Sequence, residues 1–160
     1  MKWTKDQQNV IDFRNRSILV SAAAGSGKTA VLVARIIQRI LDPQNPVDID
    51  RLLVVTFTKA AAAEMRERIG AAIEAECEKD PQNTHLRRQS ALIHNAMITT
   101  IDSFCLFVVR NHFEEISLDP NFRIADGGEI RLLEQDVLEQ VFEDNYARQE
   151  KTFLSLIDAY

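Results

Sequence analysis

The chain has 160 residues, of which 46% are hydrophobic, 27% charged and 7% aromatic, and its net charge is −5. That balance excludes a disordered tail, no run approaches the roughly 20 apolar residues of a bilayer-crossing helix, and two cysteines, Cys77 and Cys105, cannot build a disulfide framework or a four-ligand zinc site. The polar start, MKWTKDQQNV, lacks the apolar centre of a secretory signal, so a cytoplasmic globular protein with a real core is expected. The acidity is uneven. Residues 1–110 carry 15 Lys+Arg against 12 Asp+Glu, and residues 111–160 carry 4 against 12, so the overall sign does not exclude a nucleic-acid partner.

In chain order, Ser17–Ser21 (SILVS) reads as a short strand, followed at once by AAAGSGKT and by helical apolar spacing over Thr29–Leu41. DPQNPVDID (Asp42–Asp50), with two prolines and no periodicity, reads as a loop. Leu52–Phe57 (LLVVTF) reads as a strand covered on both faces, because its apolar run does not alternate. Strong helix formers fill Lys59–Lys79, with Met65, Ile69, Ala72 and Ile73 on one side. After the break at Asp80–Asn83 come a helix over Leu86–Ala96 and a third strand, Met97–Ile101 (MITTI). Ser103–Phe113 is apolar nearly all round, which predicts a buried helix. Beyond Gly127–Gly128, Ile130, Leu133, Val137, Leu138, Val141 and Phe142 form the stripe of a long amphipathic helix, and Thr152–Tyr160 starts another.

The strongest local signal is Ala22-Ala23-Ala24-Gly25-Ser26-Gly27-Lys28-Thr29 between strand and helix. It follows the pattern GxxxxGK[ST], with Ala22 in the first glycine's place. Small residues let backbone N–H groups turn inward around a phosphate at a helix N-terminus. Gly27 permits close approach, Lys28 can reach the β- and γ-phosphates, and the Thr29 hydroxyl can ligate magnesium. A nucleoside triphosphate site is expected, with ATP and Mg2+ as cofactors. Such sites also need an acidic residue at the end of another apolar strand. No apolar run here ends in Asp-Glu; Asp102 follows MITTI alone.

Further motifs occur in a fixed order around this loop. WTKDQQNVI (Trp3–Ile11) precedes it, TFTKAAAAEMRERI (Thr56–Ile69) and TTIDSFCLFVVRNHF (Thr99–Phe113) follow, and LDPNFRIAD (Leu118–Asp126) comes last. Together they resemble the N-terminal part of superfamily 1 DNA helicases of the UvrD/PcrA/RecB type, in which they would be the Q motif, motifs I, Ia and Ib, and the lead into an inserted helical subdomain. The resemblance implies an α/β fold: a partial RecA-like P-loop NTPase domain over residues 1–113, then the connection and first helices of the inserted subdomain over 114–160. Motifs II to VI, a second RecA-like domain and a nuclease domain are not in the sequence, so a fragment of a longer protein is expected. In related domains, strands encoded later in the chain lie between those present here.

The resemblance also assigns roles. Gln7 would hydrogen-bond the adenine, a task suited to an amide that both donates and accepts; Trp3 is read as an anchor to the core. Many relatives carry Arg after the motif I Thr, where this chain has Ala30. Phe57, Thr58 and Lys59 would contact single-stranded DNA, against an alternative in which Phe57 is core and Lys59 merely solvated. Ser103 and Phe104 would touch the strand from motif Ib, with Asp102 capping the following helix. The histidines are read as structural or solvated, Cys105 as a core thiol and Cys77 as exposed. Within the superfamily, the likeness is to helicase–nuclease subunits of bacterial recombination complexes, implying single- and double-stranded DNA as partners, no membrane, and a heterodimer with an AddB/RexB-like protein. The alternatives are a related helicase without a nuclease domain and a non-catalytic nucleotide- and DNA-binding module.

Overall fold

A computed structural model describes residues 2–149 and 151–159. In order, the elements are α1 (Lys5–Asp12), α2 (Lys28–Ile40), a 3-10 turn (Ile49–Arg51), β1 (Leu53–Thr56), α3 (Lys59–Lys79), α4 (Thr84–Leu92), β2 (Met97–Thr100), α5 (Ile101–Asn111), α6 (Gly127–Arg148) and α7 (Lys151–Ile157). They form two compact units, residues 1–111 and 112–160.

The first unit is organised by α3. Ala62, Met65, Ile69 and Ile73 recur at three- and four-residue steps and line one face, with Ile69 and Ile73 at 0% exposure. That face packs on β1 and β2, which pair in parallel from Leu53 opposite Met97 to Thr56 opposite Thr100. Parallel strands need a long crossover, and α3 with α4 supplies it. Ile36 and Ile40 of α2, Ile49, Leu86 of α4 and Ile93 complete the core.

Polar groups inside this core are paired. Gln89 has no exposed surface; its Oε1 accepts from the Ile49 N–H at 2.8 Å and its Nε2 donates to Asp48 Oδ1 at 2.6 Å. Asp48 also meets Arg88 at 3.0 Å, and His85 Nε2 lies 3.0 Å from the Ile40 carbonyl. This network joins the irregular 42–50 segment to α4 and satisfies the buried amide at both ends. Arg66 donates to the carbonyls of Ile93, Ala96 and Ile98, pinning the entry to β2 against α3. Elsewhere Gln8 and Gln38 donate to Asp12 and hold its carboxyl below the usual carboxylate range, tying α1 to α2.

Several expectations are corrected. Residues 17–21 form no strand, and Leu19 is 97% exposed; a strand needs a neighbour for its N–H and C=O groups, and β1 and β2 take each other as partners. The sheet is covered on one face, since Val54 is buried while Leu53 and Val55 are exposed. No α5 residue is buried, despite its composition: it packs on β1 and β2 and leaves Phe107 and Val108 exposed. The cysteines exchange places, Cys105 exposed and Cys77 packed against the core. Asp102 lies inside the first turn of α5 and does not cap it; the Ser103 N–H donates to Thr100 Oγ1 at 3.2 Å.

In the second unit, Asp126 opens α6 with a capping box. Its Oδ1 accepts from the Gly128 and Glu129 N–H groups at 2.8 and 3.0 Å, and Glu129 Oε2 accepts from the Asp126 N–H at 3.0 Å. Arg123 pairs with Glu129 and, with that backbone bond, holds its carboxyl below the ordinary glutamate value. Phe153 of α7 meets Phe142 and Tyr146 edge-on, at centroid distances of 5.3 and 5.0 Å, a favoured aromatic geometry. Ile130, Leu133, Val137, Leu138 and Val141 stay exposed. The further helix begins at Lys151 and ends at Ile157; Tyr160 lies outside the described residues.

Candidate functional site

The loop between Ser21 and α2 takes its shape from two glycines, Gly25 at φ +76° and Gly27 at φ +82°. An L-residue in that region costs roughly 1–2 kcal/mol, so glycine is what the backbone requires at both. Gly27 precedes the first turn of α2 with no side-chain cap, leaving first-turn N–H groups available to an anion. Lys28 begins the helix and folds back on its own loop, its Nζ donating to the carbonyls of Ala22 at 2.8 Å and Ala23 at 2.7 Å. Thr29 follows, half-buried. Ala23, Ala24 and Gly25 are exposed along the loop.

Gln7 reaches this loop from α1. Its Nε2 donates to the Ser26 carbonyl at 3.2 Å and its Oε1 accepts from the Thr4 N–H at 2.9 Å. Thr4 Oγ1 in turn accepts from the Gln7 N–H at 3.3 Å, a capping box. Thr4, Gln7, Ala22, Ser26 and Lys28 border one cleft of about 660 Å³, backed by apolar Ile18 and Val20. Arg35, also on the cleft, donates to the Val10 carbonyl; burial, then the neighbouring Arg14 and Arg39, draws its pKa below the ordinary guanidinium value. Trp3 and Ala30 border a different cleft, of about 780 Å³, between α1, α2 and α3. That larger cleft is walled largely by alanine and other apolar side chains and is not lined by the Ala22–Thr29 loop.

A second group of residues gathers at one sheet edge. Because β1 and β2 run parallel with Thr56 opposite Thr100, the residues after each strand leave at the same end. Ligand sites of open α/β sheets form at that carboxyl edge. Phe57 stands there at 89% exposure, which removes the reading of it as core. Thr58 Oγ1 accepts from the Ala61 N–H at 3.1 Å and so caps α3, whose first residue, Lys59, is exposed. Ser103 Oγ accepts from Thr100 Oγ1 at 2.9 Å and retains its own hydrogen to donate. Phe104 is half-buried beside it. Thr4 and Thr100 were not singled out as contributors from sequence. The spacing Thr4-x-x-Gln7 is a capping-box signature that marks Thr4; nothing comparable marks Thr100. Among the described residues, no cluster of acidic, histidine or cysteine side chains is arranged to hold a metal ion.

A glycine-shaped loop tied to an N-terminal glutamine, followed by a parallel strand pair with exposed residues at its carboxyl edge, is compatible with part of a helicase domain. The family model for the UvrD/REP helicase N-terminal domain matches residues 3–159, and the chain belongs to that family. It is 58% identical to the A subunit of the ATP-dependent helicase/nuclease of Lachnoclostridium phytofermentans over 99% of its length. It is 56% identical to the proteins of the same name in Clostridioides difficile and Anoxybacillus flavithermus, each again over 99% of its length. The chain spans 12% of the length of the first two relatives and 13% of the third. No helix among the described residues is long and apolar enough to cross a membrane.

Proposed function

We propose that the chain is the ATP- and strand-binding front part of an ATP-dependent DNA helicase/nuclease of the AddA type, built as part of a RecA-like domain. The observation that carries this reading is the glycine-shaped loop in which Lys28 and Gln7 border one cleft. Family membership and the relatives' names support it. ATP and Mg2+ fit the donor set: first-turn N–H groups and the Lys28 ammonium suit the phosphates, the Thr29 hydroxyl suits magnesium, and Gln7 suits the base. When bound, ATP supplies the phosphoanhydride whose cleavage drives movement. The protein's own part is to position it. Lys28 exchanges the Ala22 and Ala23 carbonyls for phosphate oxygens, and backbone N–H groups around Gly25 and Gly27 accommodate the remaining charge.

At the sheet edge, Phe57 offers a ring face to a base, while Thr58, Lys59 and Ser103 reach phosphates and Phe104 adds apolar contact. These contacts are sequence-neutral, as a translocating motor requires. In the complete protein, alternating grip on the strand would give 3′-to-5′ movement in double-strand break processing, with an AddB/RexB-like protein as partner.

Two substitutions test the two halves of this reading. Lys28→Ala removes a charged hydrogen bond worth about 1.5–3 kcal/mol, so calorimetry should show ATP affinity falling by roughly 10- to 150-fold. Undiminished binding would displace the site from this loop. Lys59→Ala should weaken single-stranded DNA binding and lower its salt slope by about one unit; an unchanged slope would return Lys59 to a solvated face.

A further inference from the structure

We propose that Thr4 and the Ser26 carbonyl preset the Gln7 carboxamide as a selective reader of the adenine edge, which makes Thr4 a positioning residue for base specificity. This rests on the assignment of Gln7 to the base. A carboxamide has two lone pairs on oxygen and two hydrogens on nitrogen. In this chain one of each is already committed. The Thr4 N–H takes one lone pair of Oε1 at 2.9 Å, and the Ser26 carbonyl takes one hydrogen of Nε2 at 3.2 Å.

These partners also fix which end of the amide is which. A backbone N–H can only donate and a carbonyl can only accept, so the two tethers reject the flipped amide. What remains is one acceptor and one donor, side by side on a planar group. Adenine presents the complement, an N6 amino donor beside an N7 acceptor. A base with a carbonyl at C6 presents two acceptors and leaves Oε1 facing a lone pair.

Thr4 contributes twice to this arrangement. Its N–H holds the carboxamide, and its Oγ1 accepts from the Gln7 N–H at 3.3 Å, holding the backbone from which the side chain projects. The reader and the phosphate loop are thereby one unit, because Ser26 lies between Gly25 and Gly27 and the same cleft is bordered by Lys28. A preset side chain loses less freedom on binding than a loose one.

The test compares Mg·ATP, Mg·ITP and magnesium tripolyphosphate binding by calorimetry, using the chain and its Gln7→Ala, Thr4→Val, Thr4→Ala and Thr4→Ser variants. The unmodified chain should prefer ATP to ITP, and Gln7→Ala should abolish the preference. Thr4→Val and Thr4→Ala should each reduce it by roughly 2- to 10-fold while leaving tripolyphosphate affinity unchanged, and Thr4→Ser should restore it. If Gln7→Ala keeps the preference, or the unmodified chain does not bind ATP, the assignment of Gln7 to the base fails and this proposal falls with it. If Gln7→Ala loses the preference and both Thr4 variants keep it, the positioning role alone is overturned. It is likewise overturned if the Thr4 variants lose ATP, ITP and tripolyphosphate binding in equal measure, since that is the signature of a general structural role.

Discussion

α3 and α6 are nearly the same length, 21 and 22 residues, and both carry apolar side chains at helical spacing. In the first unit that face meets β1, β2, α2 and α4, and Ile69 and Ile73 are fully enclosed. In the second, α6 meets α7 through an aromatic cluster, and Leu133 remains 63% exposed. Similar patterning therefore has different energetic consequences. Periodicity specifies a helix and the side it would bury; the layers packed against that side decide whether burial stabilises it. The second unit relies accordingly on local terms, the Asp126 capping box and the Arg123–Glu129 pair.

The largest expected effect separates the two helices directly. Ile69→Ala should lower stability by about 2–5 kcal/mol in urea unfolding, because it empties an enclosed site. Leu133→Ala, on an exposed face, should stay within about 0.5 kcal/mol. Equal losses would abolish the distinction. Gln89→Ala should cost about 1–3 kcal/mol by leaving the buried Ile49 N–H without its acceptor, while Asp48 keeps Arg88; a neutral result would mean that water replaces the amide and that the core near α4 is open.

The smallest effect sharpens the second unit. Arg123 keeps the folded-state pKa of Glu129 below its ordinary value, so the pair's stabilisation is present above that ordinary value. It disappears as pH falls through the lowered one. A carboxyl chemical-shift titration should place the Glu129 midpoint below that of an unpaired glutamate, and Arg123→Gln should raise it. An unmoved midpoint would remove the ion pair from the account.

Much of the candidate site was legible in the residues. Gly25, Gly27 and Lys28 mark the loop that opens α2, and the string from Thr56 to Ile69 marks a strand end feeding a helix. The partners were not legible. Nothing in the local pattern says that Gln7 reaches Ser26, 19 positions away, or that Arg66 gathers carbonyls from Ile93 to Ile98. The apolar run at Ser17–Ser21 looked like a strand because composition records preference, whereas a strand exists only with a hydrogen-bonded neighbour. Cys77 and Cys105 differ from expectation for a related reason: the composition of a helix does not say what the helix faces, and exposure depends on that.

By itself, then, the sequence determined the helices from α2 onward and the glycine-shaped loop before them, since propensity, periodicity and the need for positive φ act over a few residues. Only the tertiary structure decided whether an apolar face was buried, which strands paired, and which groups Gln7 and Lys28 hold. Those outcomes depend on contacts between segments far apart in the chain, where hydrogen bonds and burial are satisfied by geometry rather than by sequence neighbours.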